Sequence, residues 1–212
     1  MIIIFGVNKK AAAHLSKVDR ILRKVIAKVG PGDVPFPRGV NPYRTLVTAV
    51  AHQQLTGKAA NTILGRVIAL YPGKKFPAPE DLIRTPDSKL RAAGFSRAKV
   101  AAVKDIAAKT IAGVVPTARA MATMSDVEIV ERLTSIRGVG PWTVEMMLIF
   151  TLGRPDVLPC TDYGVRKGFA MTYRKKDLPS PKELLAFGER WKPHRSAAAW
   201  YLWRATELFA SK

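Results

Sequence analysis

Apolar residues recur at helical spacing along almost the whole chain, and Gly, Pro, Asn and Ser separate the apolar runs. No convincing period-2 alternation follows the first residues, where 2–5 favour a short strand or an irregular lead. The pattern therefore predicts an all-α protein, with a proline-stiffened loop at 30–42. The predicted helices are 16–29, 43–55, 56–70, 77–84, 85–94, 96–112, a pair flanking 138–140, 163–171, 182–191 and 195–210.

A tight Gly-Val-Gly bend joins the pair of helices in the middle of the chain. The first helix begins at Ser125, which with Glu128 three residues later forms a capping-box pattern. Gly138 and Gly140 allow backbone angles that other residues avoid, and they leave peptide N–H groups bare. Pro141 suits the first turn of the second helix. Bare N–H groups that run into a helix N-terminus favour an anion such as phosphate.

The chain is strongly basic, since its 212 residues include 35 Lys and Arg against 16 Asp and Glu, a formal net charge of +19. Such an excess points to a polyanionic partner that is held through phosphate contacts. Charge alone leaves open a basic protein without such a partner. The N-terminal apolar run is too short for a bilayer span or a signal-peptide core, so we expect no membrane and a cytoplasmic protein that works at the chromosome.

Cys160 is the one cysteine, which excludes internal disulfides and a four-cysteine iron–sulfur cluster. It lies two residues before Asp162, but with no evident partner base we interpret it as a packing residue. Asp162 precedes a predicted helix, where an aspartate commonly acts as N-cap. Lys99 and Lys104 are predicted to lie on a solvated helix face.

Four segments in order carry a family resemblance: AHQQLTGKAA (51–60), SIRGVGPWTVE (135–145), VLPCTDYGVRKGF (157–169) and ERWKPHRSAAAWYLW (189–203). Together they resemble the helix-hairpin-helix DNA base-excision glycosylases, in particular the 3-methyladenine DNA glycosylase II branch. The resemblance implies a two-lobed helical bundle with its active-site cleft between the lobes. The single core then spans 1–212, with lobe one at about 43–125 and lobe two formed by about 1–42 and 126–212.

Asp162 matches the catalytic aspartate of this family, whose charge stabilises the positive charge that develops on the sugar. Trp203 and Trp142 match the base pocket, where electron-rich rings attract a cationic alkylated base. Trp142 stands where family members that also cut the backbone have a lysine. The resemblance thus implies a glycosylase without AP-lyase activity, and the sequence offers no evident general acid.

The resemblance also implies contacts with double-stranded DNA that contains a damaged base. Gln54 matches the side chain that fills the gap left by the extruded nucleotide, although an exposed helix end is the plainer interpretation. The implied DNA-contacting residues are Gln53, Gln54, Arg137, Gly138, Val139, Gly140 and Thr143. No cofactor is required, but the family commonly holds a structural Na⁺ or K⁺ on main-chain carbonyls, here those of Thr134, Ile136 and Val139.

The predicted function is excision of 3-methyladenine- and 7-methylguanine-type bases by a monomer, in the nucleoid of a bacterium or the nucleus of a eukaryote. One alternative is a glycosylase of the same fold for deaminated or oxidised bases. The other is a protein that binds DNA through the hairpin without catalysis, because such hairpins also occur in proteins that only hold DNA.

Overall fold

Helices dominate the computed structural model, which describes residues 4–6, 9–30, 33–35 and 41–210, and the all-α prediction is confirmed. The helices are α1 Lys9–Val18, α2 Leu22–Val29, α3 Pro42–His52, α4 Gly57–Ala69, α5 Pro79–Arg84, α6 Asp87–Ala92, α7 Arg97–Ile111, α8 Ala118–Thr123, α9 Asp126–Thr134, α10 Pro141–Phe150, α11 Tyr163–Thr172, α12 Pro181–Gly188 and α13 Arg195–Ala210, with a 3₁₀ turn at Glu189–Trp191. None of the described helices has the length and apolar content needed to cross a bilayer.

Two three-residue strands near the N-terminus form a small antiparallel ribbon. β1 Ile4–Gly6 pairs with β2 Asp33–Pro35, with Ile4 opposite Pro35. β1 overlaps the short strand that the sequence favoured at 2–5, of which residues 2 and 3 lie outside the described part. β2 lies in the segment predicted as a loop, and the rest of that loop up to residue 40, apart from Gly30, lies outside the described residues.

The residues form two units by their internal contacts, Met1–Arg38 with Glu145–Lys212 as unit 1 and Gly39–Val144 as unit 2. The boundary falls within α10. Residues 126–144, which the sequence analysis assigns to lobe two, therefore group with unit 2.

The core of unit 1 forms where α11 and α13 pack against α1 and α2. A Cβ atom on Gly168 of α11 would lie 1.9 Å from the carbonyl oxygen of Leu202, so only glycine permits this approach of the two backbones. Large side chains then fill the space around the crossing. The buried set includes Leu15, Leu22, Val25, Val165, Phe169, Leu184, Trp191, Tyr201 and Leu202.

The single helix predicted at 16–29 is wrong, because the chain breaks between α1 and α2 at Asp19. This carboxylate is 4% exposed and accepts bonds from the backbone N–H groups of Ile21 and Leu22. Its other oxygen accepts from the Tyr173 hydroxyl and from the Trp191 indole, at 2.5 and 3.0 Å. A buried carboxyl group with four hydrogen-bond donors holds the break in place.

Unit 2 is built around α3, α5 and α7, which pack through apolar side chains. The buried set includes Leu46, Val47, Val50, Leu82, Val103, Ile106, Ile129 and Leu133. Ser125 caps α9 and Glu128 completes the capping box, as predicted, and Ser96 caps α7. α8 is not among the predicted helices, although Thr117 caps it and the predicted helices α5 and α6 are equally short.

Candidate functional site

Asp162 is the N-cap of α11 in unit 1, and its side chain also meets an indole. Its Oδ1 atom accepts the Val165 backbone N–H at 2.8 Å. The same oxygen accepts the Trp203 Nε1–H, also at 2.8 Å. The capping interpretation is thus confirmed, and the structure brings together two residues that the sequence separates by 41 positions.

Gly164 makes room for this arrangement, because a side chain there would collide with the indole. A Cβ atom would lie 2.8 Å from Trp203 Cδ1 and 3.1 Å from Asp162 Oδ1. The ring of Phe150 lies on the same tryptophan, with ring centroids 5.6 Å apart. The carboxylate therefore sits beside an aromatic wall that α10 and α13 supply.

The loop that leads to Asp162 is tied to the start of α13. Arg195 holds Asp156 in a two-pronged ion pair, with Nε–Oδ1 at 2.8 Å and Nη2–Oδ2 at 3.0 Å. Ser196 donates its hydroxyl to the Arg154 carbonyl at 2.7 Å and accepts the Val157 N–H at 2.9 Å. These bonds connect the loop before Asp162 with the helix that carries Trp203, which gives the Arg-Ser pair of the last quoted segment a structural role.

Glu145 is a second carboxyl group at this site, and the sequence analysis did not identify it. Its Oε2 atom is buried and has no hydrogen-bond partner among the described residues. Burial, with a smaller contribution from the charge of Asp162, raises the pKa of Glu145 to about 7. Burial and the nearby Glu145 also raise the pKa of Cys160. The available signal was that Glu145 is the one charged residue in α10, PWTVEMMLIF.

The Gly-Val-Gly bend lies in unit 2, where one of its glycines is required by the backbone. Gly138 has φ +78°, and a Cβ atom on it would lie 2.8 Å from the Ala102 methyl group. Gly140 lies outside the left-handed region and its Cβ atom would meet nothing within 4 Å, so the prediction that this position needs the backbone freedom of glycine is wrong. The N–H of Arg137 donates to Asp105 of α7 at 2.7 Å, which fixes the bend on unit 2.

Some peptide N–H groups of the bend donate hydrogen bonds within the protein, and others are left for a ligand. Val139 donates to the Ile136 carbonyl at 3.1 Å, and Thr143, which is buried, donates to the Gly140 carbonyl at 3.0 Å. Within the described part of the chain, the N–H groups of Gly138 and Gly140 donate to no protein acceptor. Those two groups, at the start of α10, remain as donors for an anion.

Gln53 and Gln54 follow α3 directly and adopt contrasting conformations. Gln53 turns inward and donates from Nε2 to the Gly138 carbonyl at 2.9 Å, with the Thr143 hydroxyl 3.5 Å away. Gln54 is exposed and has φ +57°, a left-handed conformation that is uncommon for a residue with a side chain. The structure therefore joins the glutamine turn to the bend through Gln53 and leaves the Gln54 side chain exposed.

Lys99 corrects the prediction of a solvated helix face, because its ammonium group reaches the end of α3. Nζ donates to the carbonyls of Ala51 and Gln53 at 2.7 and 2.9 Å. Partial burial lowers the pKa of Lys99. Lys104, on the same helix, is 28% exposed and forms an ion pair with Asp87 at 2.5 Å.

The carbonyls of Thr134, Ile136 and Val139 lie at and after the C-terminus of α9, the negative end of a helix dipole. The Ile136 carbonyl accepts one bond, from Val139, and a carbonyl oxygen can accept two. Oxygen donors of this type suit Na⁺ or K⁺. Among the described residues no group of three His, Cys, Asp or Glu side chains gathers around a common point for a metal ion.

Comparison with known proteins gives consistent matches. Residues 47–194 match the model of the HhH-GPD superfamily of base excision DNA repair proteins. DNA-3-methyladenine glycosylase 1 of Schizosaccharomyces pombe is 40% identical, over 94% of this chain and 88% of that protein. Among solved structures, the 3-methyladenine DNA glycosylase of S. pombe in complex with abasic DNA matches with TM-score 0.83 and 40% identity, over 94% of this chain and 97% of that one. A DNA-3-methyladenine glycosidase from Bacillus halodurans matches with TM-score 0.85 and 32% identity, over 98% and 94% of the two chains.

Proposed function

The chain belongs to the HhH-GPD superfamily of base excision DNA repair proteins, and we propose that it hydrolyses the N-glycosidic bond of 3-methyladenine- and 7-methylguanine-type bases in duplex DNA. Relatives that carry the name DNA-3-methyladenine glycosylase support this, one of them 40% identical. The observation that carries the proposal is the bond at 2.8 Å between the Trp203 indole and Asp162. It sets a negative charge and an aromatic face side by side.

Base release in this proposal begins with extrusion of the damaged nucleotide, which costs a few kcal/mol and less at a weakened pair. As the glycosidic bond breaks, positive charge develops on the sugar. Asp162 stabilises that charge and orients the attacking water. The two donors on Oδ1, Val165 and Trp203, hold the carboxyl group in one orientation while this happens.

Selectivity for alkylated purines follows from the charge of the leaving base. A base methylated at a ring nitrogen is cationic, so an electron-rich indole face attracts it. Trp203 is the first candidate for that face. Trp142, of which 45% is exposed, is the second.

We also propose that the enzyme leaves the sugar–phosphate backbone intact. Backbone cleavage in this family needs an amine that forms a Schiff base with the sugar. The position after Pro141 carries Trp142, which has no such nucleophile. Borohydride reduction during turnover should therefore trap no covalent protein–DNA adduct, and a trapped adduct would contradict this part of the proposal.

Unit 2 is proposed to grip the phosphate backbone through the bend. The N–H groups of Gly138 and Gly140 can donate hydrogen bonds to a phosphate without reading the base sequence, and the positive charge of Arg137 supports them. Val139 and Thr143 maintain the shape of the bend through the bonds given above. A Na⁺ or K⁺ ion on the carbonyls of Thr134, Ile136 and Val139 would add a positive charge near the same phosphates.

Gln54 is proposed as the side chain that enters the duplex beside the extruded nucleotide. Its left-handed backbone and its exposure support this, because an uncommon conformation at a loop tip marks a functional constraint. A glutamine can also hydrogen-bond the orphaned base. Gln54→Ala should weaken binding to lesion-containing duplex much more than binding to the same single strand. Equal losses on both would reject the assignment.

A panel of defined lesions tests the proposed function. Single-turnover rates are measured on duplexes that carry 7-methylguanine, a stable 3-methyladenine analogue, 8-oxoguanine or uracil, with Asp162→Asn as the reference variant. We expect release of the alkylated bases to be the fastest. Preference for 8-oxoguanine or uracil would favour the same fold acting on oxidised or deaminated bases. Binding without release of any base would leave a protein that only holds DNA.

A further inference from the structure

Glu145 is a half-buried carboxyl group whose charge interacts with that of Asp162. Its Oε2 atom is buried and makes no hydrogen bond among the described residues. A buried polar atom without a partner costs free energy, so such an atom in a native protein calls for an explanation. Glu145 also interrupts an apolar helix, where a Leu or Met would pack without that cost. A catalytic role for Glu145 accounts both for the unpartnered oxygen and for a carboxyl group in an apolar helix.

The groups around Glu145 make its neutral form easy to populate. Asp162 adds a negative charge, and Cys160 lies on the loop that leads to Asp162. Arg166 of α11 acts in the opposite direction on Cys160, because its positive charge lowers the pKa of the thiol. Burial and Asp162 together raise the pKa of Glu145 to about 7. Two neighbouring carboxyl groups in different environments can divide the roles of proton donor and charged stabiliser.

We propose that Glu145 is the proton donor for uncharged leaving bases, and that it extends the enzyme from cationic alkylated bases to neutral lesions such as hypoxanthine or 1,N⁶-ethenoadenine. The inference rests on the proposed function, because it needs Asp162 to stabilise the sugar. It supplies the general acid that the sequence analysis did not find.

Protons and electron pairs balance in the proposed reaction. The carboxylic acid of Glu145 transfers its proton to a ring nitrogen of the base while the electron pair of the glycosidic bond passes to the base. Asp162 stabilises the positive sugar, and water attacks the anomeric carbon. The proton that this water loses returns to the Glu145 carboxylate. The products are the free base and an abasic sugar, and one water molecule is consumed.

Cationic and neutral leaving bases differ in whether they need a proton from Glu145. A base methylated at a ring nitrogen already carries the positive charge and leaves without a proton. A neutral base departs as a poor anion unless it is protonated, and general acid catalysis typically contributes about 10²–10⁴-fold. Loss of the Glu145 acid should therefore affect neutral lesions far more than cationic ones.

The test compares two lesions at one position of the same duplex. Single-turnover rates on hypoxanthine and 7-methylguanine are measured for the wild-type protein and for Glu145→Gln, which keeps the size of the side chain and removes the acid. We expect the ratio of the hypoxanthine rate to the 7-methylguanine rate to fall at least 30-fold. The wild-type hypoxanthine rate should also decrease as the pH rises through about 7, and this decrease should be absent in the variant.

Glu80→Gln is the matched control, since Glu80 is exposed on α5 and should leave both rates and their ratio unchanged. Equal losses on both lesions in Glu145→Gln would show a structural role and overturn the inference. So would a wild-type protein that releases 7-methylguanine and no hypoxanthine. Failure to release either base would instead reject the proposed function.

Discussion

The Lys99 ammonium group lies 2.9 Å from the Gln53 carbonyl oxygen, and it reaches the Ala51 carbonyl as well. One cation thereby closes the C-terminus of α3, where helix carbonyls lack partners and the dipole is negative. The residue that follows is Gln54, in its left-handed conformation. The position of the proposed intercalating side chain thus depends on a lysine 45 residues further along the chain.

Lys99→Met should loosen this turn, because methionine keeps much of the aliphatic stem and loses both hydrogen bonds. Bonds to a charged donor contribute about 1.5–3 kcal/mol each when they are shielded from water. Lys99 is only partly buried, so solvent weakens both bonds and we expect the free energy of unfolding to fall by roughly 1–3 kcal/mol in total. We also expect about tenfold weaker binding of lesion-containing duplex in a titration at fixed salt. Lys104→Met is the control, because it removes the same charge from α7 without touching the turn. Equal weakening by both variants would show that only net charge matters.

Asp162→Asn should abolish most base release while the protein remains folded. Asparagine caps helices about as well as aspartate, and its oxygen can accept the same bonds from Val165 and Trp203. The change therefore removes the charge with little effect on the local structure. We expect the single-turnover rate on 7-methylguanine to fall about 10²–10³-fold, with a melting temperature close to that of the wild type. A folded variant at full rate would end the catalytic assignment.

Gly164→Ala tests whether the indole must lie close to the carboxylate. The added methyl group would sit 2.8 Å from Trp203 Cδ1, so the ring has to shift. Small displacements at a reacting centre cost up to about 10²-fold in rate, and we expect a loss of about 10- to 100-fold on 7-methylguanine. Gly65→Ala is the control, since its Cβ atom meets nothing within 4 Å and alanine favours α4. An unchanged rate in Gly164→Ala would mean that the indole position is unimportant.

Local sequence patterns predicted most of the fold, and they failed where a distant partner decides the structure. The helical period found α7, α9 and α11, and the capping box of Ser125 and Glu128 marked the start of α9. The break at Asp19 was not predicted, because its partners Tyr173 and Trp191 lie 154 and 172 residues away. The bonds from Ile21 and Leu22 to Asp19 are local, but the two distant donors that hold the carboxyl group are not visible in any short window of the sequence.

In the candidate site, too, local features could be predicted from the sequence and those that depend on tertiary contacts could not. Asp162 is recognisable as a helix cap from its neighbours alone, whereas its catalytic role and the position of Trp203 came from the family resemblance. Lys99 looked like an ordinary surface cation because its acceptors are main-chain carbonyls, which every residue has. Glu145 was visible as a charge in an apolar helix, but its enclosure beside Asp162 depends on the tertiary structure.

The enclosure of Glu145 should also appear in the pH dependence of stability, independently of catalysis. The pKa of this carboxyl is about 7 in the folded protein, compared with an ordinary value of 4.5. Between these values the folded protein keeps a proton that the unfolded chain releases. Stability therefore falls as the pH rises from about 4.5 to 7, and above pH 7 both states are charged and the loss is complete.

Glu145→Gln removes this titration, so the melting temperature of the variant minus that of the wild type should increase between pH 5 and 7 and level off by pH 8. The measurement is a series of thermal melts at constant ionic strength, since screening of the many basic groups changes with salt. Glu80→Gln, at an exposed position, is the matched control for the loss of one glutamate. If the difference for Glu145→Gln does not change with pH, Glu145 titrates like a solvated glutamate, which would contradict its proposed role as a proton donor beside Asp162.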